Sequence, residues 1–172
     1  MFHAVRNGRR RSAISIATTM LSAMLVIAGG ERLAADTKKT ALVGSWLETV
    51  TFPPEIGRPP LQSLGSFHAD GTVVCSDQGS VSLVEPQGVF TSCHGVWAHL
   101  DERRFAYTTL ELISDLSGNL VGYLKVRGTY TVAESGNEYT GVSVAEIRDT
   151  GGTLLFSAEV TNAGKRIQVE LP

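Results

Sequence analysis

The chain has 172 residues, with 15 Lys and Arg against 17 Asp and Glu, a formal charge of −2, and 42% hydrophobic against 19% charged residues. That length suits one domain of ordinary size. Near-neutral charge argues against nucleic acid as a partner, and the apolar fraction excludes a disordered or collagen-like chain.

The first 35 residues have a composition of their own. Arg6, Arg9, Arg10 and Arg11 make a basic start, Ser12 to Gly30 carries no charge, and small residues follow at Ala34-Ala35. That order is the pattern of a cleaved secretory signal peptide. The uncharged run approaches the roughly 20 residues needed to span a bilayer, so a retained anchor is the competing reading. Its Ser and Thr content and the small residues behind it favour removal, which leaves no stable membrane anchor. Arg9-Arg10-Arg11-Ser12 permits the twin-arginine route beside the general secretory one, and either leads to a secreted or periplasmic location. Removal takes five of the 15 basic and one of the 17 acidic residues, so residues 36–172 keep ten and 16, a net of −6.

Past Lys39 no stretch has a helical apolar period. β-rich runs recur instead, over Val43 to Phe52, Leu61 to His68, Thr72 to Ser76, Ser92 to Leu100, Arg104 to Ile113, Leu120 to Val132, Glu138 to Arg148, Thr153 to Thr161 and Lys165 to Leu171. Turn clusters separate them at Ala69-Asp70-Gly71, Asp101-Glu102, Asp115 to Asn119, Glu134 to Asn137, Asp149 to Gly152 and Asn162-Ala163-Gly164. Gly and Asn accept the positive φ of tight hairpins, and Asp caps its own turn. The reading is all-β: an antiparallel meander of eight or nine strands that buries its edges by closing into one small barrel. Leu124, Val126, Tyr130 and Val132 share one face of their strand, as do Leu154, Phe156, Ala158 and Val160 of theirs, which gives the two environments of such a sheet. The proline-rich segment from Pro53 to Pro60 reads as a stiff loop. Ser76 to Thr91 is the longest irregular stretch, and long loops of barrels often border a ligand entrance.

Cys75 and Cys93 stand 18 residues apart at the base of that loop. In an exported chain they are expected to form a disulfide, which stabilises by about 3 kcal/mol in the chain-entropy account.

Leu42-Val43-Gly44-Ser45-Trp46 opens the domain with Gly-x-Trp on its first strand. This resembles the start of the lipocalins and related calycin barrels. The resemblance implies that Trp46 closes one barrel end and that a basic residue of the last strand, Arg166, packs across it. A guanidinium over an indole is favourable by roughly 0.5 to 2 kcal/mol. By parity Arg166 sides with Gln168 and Glu170, whereas Ile167, Val169 and Leu171 hold the other face.

Candidate chemistry is sparse. His94 and His99 have opposite parity, so they are poor partners for one metal ion, and no metal or cofactor is expected. No Gly-x-Ser-x-Gly elbow and no phosphate-cradling glycine loop occurs. Tyr107, Thr109 and Glu111 share a strand face beside Tyr123, Lys125 and Arg127 of the next run. Cross-strand pairing would bring Glu111 near Lys125 or Arg127, either as a lumenal site or as a solvated charge ladder, and the ladder is favoured because Leu124 and Val126 need the inside. The candidate catalytic residues are Glu111, Tyr107 and His94. The candidate ligand contacts are Tyr107, Tyr123, Arg127 and Trp97. The expected function is lumenal binding of a small, mostly apolar molecule. Its alternatives are a barrel enzyme of the cyclase or isomerase kind, and a structural or interaction module of the envelope.

Overall fold

A computed structural model describes residues 38–78 and 88–171. The expected signal peptide lies outside the described residues. The strands are β1 (Gly44–Thr51), β2 (Leu61–Phe67), β3 (Thr72–Asp77), β4 (Val89–Phe90), β5 (Cys93–Asp101), β6 (Arg104–Ser114), β7 (Leu120–Val132), β8 (Glu138–Asp149) and β9 (Leu154–Arg166). All pairs are antiparallel. Eight strands close on themselves in the order β1-β2-β3-β5-β6-β7-β8-β9, with β9 returning to β1, while β4 adds two residues beside the end of β6. Eight strands leave an interior just wide enough to be filled by side chains or to hold one small ligand.

The hairpins follow the turn chemistry. Gly71, Gly118, Gly136 and Gly152 take positive φ at four turns. Asp70 Oδ1 accepts from the amide and hydroxyl of Thr72, and Asp115 Oδ1 accepts from the amides of Ser117 and Asn119. Within Pro53 to Pro60 lies a single 3-10 turn, Pro54–Ile56, and Arg58 folds back over the Phe52 ring at 5.0 Å. Cys75 and Cys93 face each other in register on β3 and β5 and are joined by a disulfide.

One expected turn does not exist. Asn162, Ala163 and Gly164 continue β9, which pairs with β8 from Leu154 to Lys165 and with β1 from Thr161 to Arg166. Asn162 and Gly164 point inward and are buried, so their turn-like composition serves the interior instead. Of the strand expected over Lys165 to Leu171, only Lys165 and Arg166 are in a strand, as the end of β9. Beyond it Ile167, Val169 and Leu171 are exposed, and their parity says nothing about where Arg166 points.

Arg166 points into the barrel end. Its guanidinium lies 4.2 Å over the Trp46 ring, and it donates to the carbonyls of Gly136 (2.7 Å), Val43 (2.7 Å) and Ala41 (2.6 Å). Trp46 Nε1 donates to the Leu42 carbonyl at 2.9 Å. Around this plug gather Leu42, Phe67, Val73, Phe105, Tyr130, Val132 and Tyr139, with Trp97 packed against them. A column of rings runs inward from Trp46 to Tyr139 (4.8 Å), Tyr130 (4.3 Å) and Tyr107 (4.3 Å). Each tyrosine has a glycine as its cross-strand partner: Tyr107 faces Gly128, Tyr130 faces Gly141 and Tyr139 faces Gly164. A Cβ at Gly164 would come within 2.2 Å of the Tyr139 ring, and one at Gly141 within 2.6 Å of the Tyr130 ring. The Tyr139 and Tyr130 rings lie against bare backbone, an arrangement that shields the glycine strands.

Removing the plug should be costly. Arg166→Ala is expected to lower the unfolding free energy by about 2 to 4 kcal/mol, from three charge-assisted hydrogen bonds and the ring contact. Arg166→Lys should recover less than half, because an ammonium cannot fan its donors to three separate carbonyls. Urea unfolding of the three proteins checks this ordering; equal stability of wild type and Arg166→Ala would refute the plug.

Candidate functional site

Halfway along the barrel the core turns polar. Glu48 of β1 shares the inward face of Trp46 and is 7% exposed. Its Oε1 accepts from the Tyr130 hydroxyl at 2.9 Å, and Asn162 and Tyr139 also hydrogen-bond its carboxyl. Ser143 Oγ donates to Asn162 Oδ1 at 2.5 Å. That commits the one serine proton, so in the 2.5 Å contact between Tyr107 and Ser143 the tyrosine is the donor. Buried polar groups need such partners, and this tier supplies them from β1, β6, β7, β8 and β9.

Above the tier the barrel is hollow. A cavity of about 240 Å³ opens at the end away from Trp46. Val50, Leu61, Leu124, Val126, Ile147 and Phe156 are among its apolar walls, and Glu48, Asp77, Thr109 and Glu111 among its polar ones. Arg58 stands at the rim, and the cavity also touches Cys75, so the disulfide braces its edge. Burial pushes the Glu48 carboxyl up to about 7 against the pull of its hydrogen bonds. Burial, reinforced by the charge of Asp77, pushes Glu111 up to about 8. Asp77 is raised too, mainly by desolvation. The hydroxyls of Tyr107, Tyr130 and Tyr139 are held far above their ordinary range by burial and by the neighbouring Glu48. Among the described residues no three His, Cys, Asp or Glu side chains converge closely enough to hold a metal ion.

The sequence candidates divide between the two barrel faces. Tyr107, Thr109 and Glu111 line the cavity. Tyr123, Lys125 and Arg127 stand on the outer face, because Glu111 pairs with Leu124 and Thr109 with Val126. Neither the expected Glu111 pair with Lys125 or Arg127 nor a Tyr123 or Arg127 ligand contact therefore forms. Arg127 instead meets Glu146 at 2.8 Å, joined there by Arg148 at 3.1 Å. The hydrogen bonds of Arg148, then the charge of Arg127, lower the Glu146 carboxyl. His94 is exposed on the outside of β5, paired with Leu110, and is not brought to the cavity. Trp97 faces inward but belongs to the sealed half, where it packs edge-on to Phe67 and Phe105 and donates to the His68 carbonyl. Sequence reasoning missed Glu48, Asp77, Ser143 and Asn162. For Glu48 a signal existed, since it lies two residues beyond Trp46 on the same strand face.

Comparison with protein-family models, curated proteins and solved structures finds no match for this chain.

The buried carboxyls set a pH dependence whose sign is fixed. A carboxyl raised from 4.5 to about 7 holds its proton in the folded state after the unfolded chain has lost it. Its contribution is complete below about pH 4.5 and fades as pH rises through 7. The outer carboxylates Asp70, Asp115, Glu146 and Asp149 are lowered by their hydrogen bonds and act oppositely, at more acid pH. Stability should therefore peak near pH 5 and decline toward pH 8, with Glu48 accounting for about 2 to 3 kcal/mol. Urea unfolding from pH 4.5 to 8.5 should show this decline, and Glu48→Gln should flatten most of its lower half; an unchanged slope in the variant would contradict the assignment.

Proposed function

We propose that this barrel is a container for one small, mostly apolar molecule, exported from the cytoplasm and belonging with the calycin-like barrels. The observation that carries the reading is the hollow half: a one-ended cavity with apolar walls above a satisfied polar floor. Ligand pockets commonly run from about 300 to 1,000 Å³, so a cavity of about 240 Å³ takes a single ring or a short chain. The Gly44-x-Trp46 start with Arg166 across the indole supports the calycin reading. The Cys75–Cys93 disulfide supports an oxidising compartment, as does the signal-like sequence over residues 1–35. No helix among the described residues is long and apolar enough to cross a membrane.

A second reading has a specific observation behind it. Glu48 and Glu111 keep their protons close to neutral pH in a partly apolar cavity, the setting in which a carboxylic acid serves as a proton donor or, once ionised, as a base. A cyclase or isomerase would use Glu111 for that exchange, with Tyr107 on the same face of the cavity. Turnover distinguishes the two readings, since a container returns its ligand unchanged.

Calorimetric titration with 1-hexanol tests the container directly. Binding is expected with a dissociation constant from about 10 µM to 1 mM, as befits seven heavy atoms. Ala145→Phe places a ring in the cavity and should abolish the signal without unfolding the protein. A wild type that takes up no 1-hexanol would exclude the container.

A further inference from the structure

The charges facing the cavity are unbalanced. Glu48, Asp77 and Glu111 supply three carboxyls, Arg58 the one cation among the described lining residues, and Tyr107 and Tyr130 the other titratable groups. Two of the carboxyls are provided for. Glu48 is held by Tyr130, Asn162 and Tyr139, and Asp77 accepts a hydrogen bond from Ser63 and feels the charge of Arg58.

Glu111 is different. It is 6% exposed, lines the cavity, and has neither a hydrogen bond nor an ion pair among the described residues. Its cross-strand partner on β7 is Leu124, and the next inward residues of its own strand are Thr109 and Ile113. Residues 79–87 contain no Lys, Arg or His, so no counter-charge comes from that segment of the sequence. No fully sealed polar atom lacks a partner among the described residues, so the Glu111 oxygens reach the open cavity, where a proton, water or a cation can satisfy them.

Resting on the container reading, we infer that the occupant is a small apolar amine, its ammonium seated on the Glu111 carboxylate and its hydrocarbon against Leu124, Val126 and Ile147. Once Glu48 and Glu111 ionise, an anion meets a cluster of carboxylates and is repelled. A neutral apolar molecule fits the walls but leaves Glu111 unpaired. A metal ion needs ligands that converge, and among the described residues the cavity acids do not. An ammonium satisfies the wall and the carboxyl together and more strongly than a neutral donor, through a charge-assisted hydrogen bond in a low-dielectric site.

The pairing has a pH signature. With Glu111 raised to about 8, the empty cavity holds it protonated at pH 6, so the amine must displace a proton there. Amine affinity therefore rises from pH 6 to 9, a range in which an alkylamine, like lysine, stays charged. Glu48, raised to about 7, titrates toward the same negative cavity over this range and adds to the trend.

The experiment is calorimetric titration of the purified protein with n-hexylamine, 1-hexanol and hexanoate from pH 6 to 9. At pH 9 hexylamine should bind at least about tenfold more tightly than 1-hexanol, with hexanoate weakest. The preference should shrink toward pH 6. Glu111→Gln should bring hexylamine within about twofold of 1-hexanol measured on the same variant, and an unchanged far-ultraviolet circular dichroism spectrum and urea midpoint within about 1 M report that the variant is folded. Hexanol bound as tightly as hexylamine in the wild type overturns the amine inference and leaves the container standing. A preference that survives Glu111→Gln overturns it as well. Binding of none of the three probes overturns both readings.

Discussion

Arg166 lying flat on Trp46 decides which end of this barrel is closed. The guanidinium stacks on the indole and bonds carbonyls before β1 and in the β7–β8 turn, so three separate stretches of chain meet at one side chain. With that end fixed, the rings of Tyr139, Tyr130 and Tyr107 continue the stack toward the middle. The Tyr139 and Tyr130 rings fit because Gly164 and Gly141 leave the neighbouring strands bare where they lie. Three tyrosine hydroxyls are thereby carried into the interior, and each requires a polar partner. Glu48 accepts from Tyr130 and Ser143 from Tyr107, and Asn162 in turn accepts from Ser143, which is why an apolar core gives way to a polar tier at this depth.

The hollow end follows from the same tier. Hydrocarbon packing reaches no further than the groups that satisfy the tyrosines, and the strands beyond it turn Val50, Leu61, Leu124, Val126 and Ile147 toward space that is not filled. Keeping Glu48 and Glu111 in such surroundings costs stability, as their raised ionisation shows. Groups that weaken the fold yet point into an open cavity are the usual mark of a binding site. The disulfide between β3 and β5 stiffens the rim where the barrel lacks a plug.

Much of this was legible in the sequence, for stated reasons. Alternation in Leu120 to Val132 fixes the inner face of β7, and the Asp-Gly, Ser-Gly-Asn and Asp-Thr-Gly-Gly clusters mark hairpins because positive φ leaves few residues to choose from. Gly44-x-Trp46 and Arg166 identify the plug. What misled was treating glycine and asparagine as turn residues only: Asn162 and Gly164 are interior residues of one long strand, one bonding Glu48 and the other lying under Tyr139. The same Gly-x-ring spacing recurs at Gly128-x-Tyr130 and, reversed, at Tyr139-x-Gly141, a repeat that could have foretold the column. The cavity acids divided by register, which strand composition does not encode. Pairing Glu111 with Leu124 sends Lys125 and Arg127 outward, and a shift of one residue would have placed them inside.

The central claim is that this barrel is filled at the Trp46 end and empty above Glu48. Methyl-resolved NMR under xenon pressure tests it most directly, because xenon enters apolar cavities and perturbs only the methyls that line them. Saturating shifts are expected at Val50, Leu61, Leu124, Val126, Ile147 and Val160, with Leu42, Val73 and Val132 unmoved. Shifts at those three sealed-end residues, or none at the cavity methyls, would contradict the account.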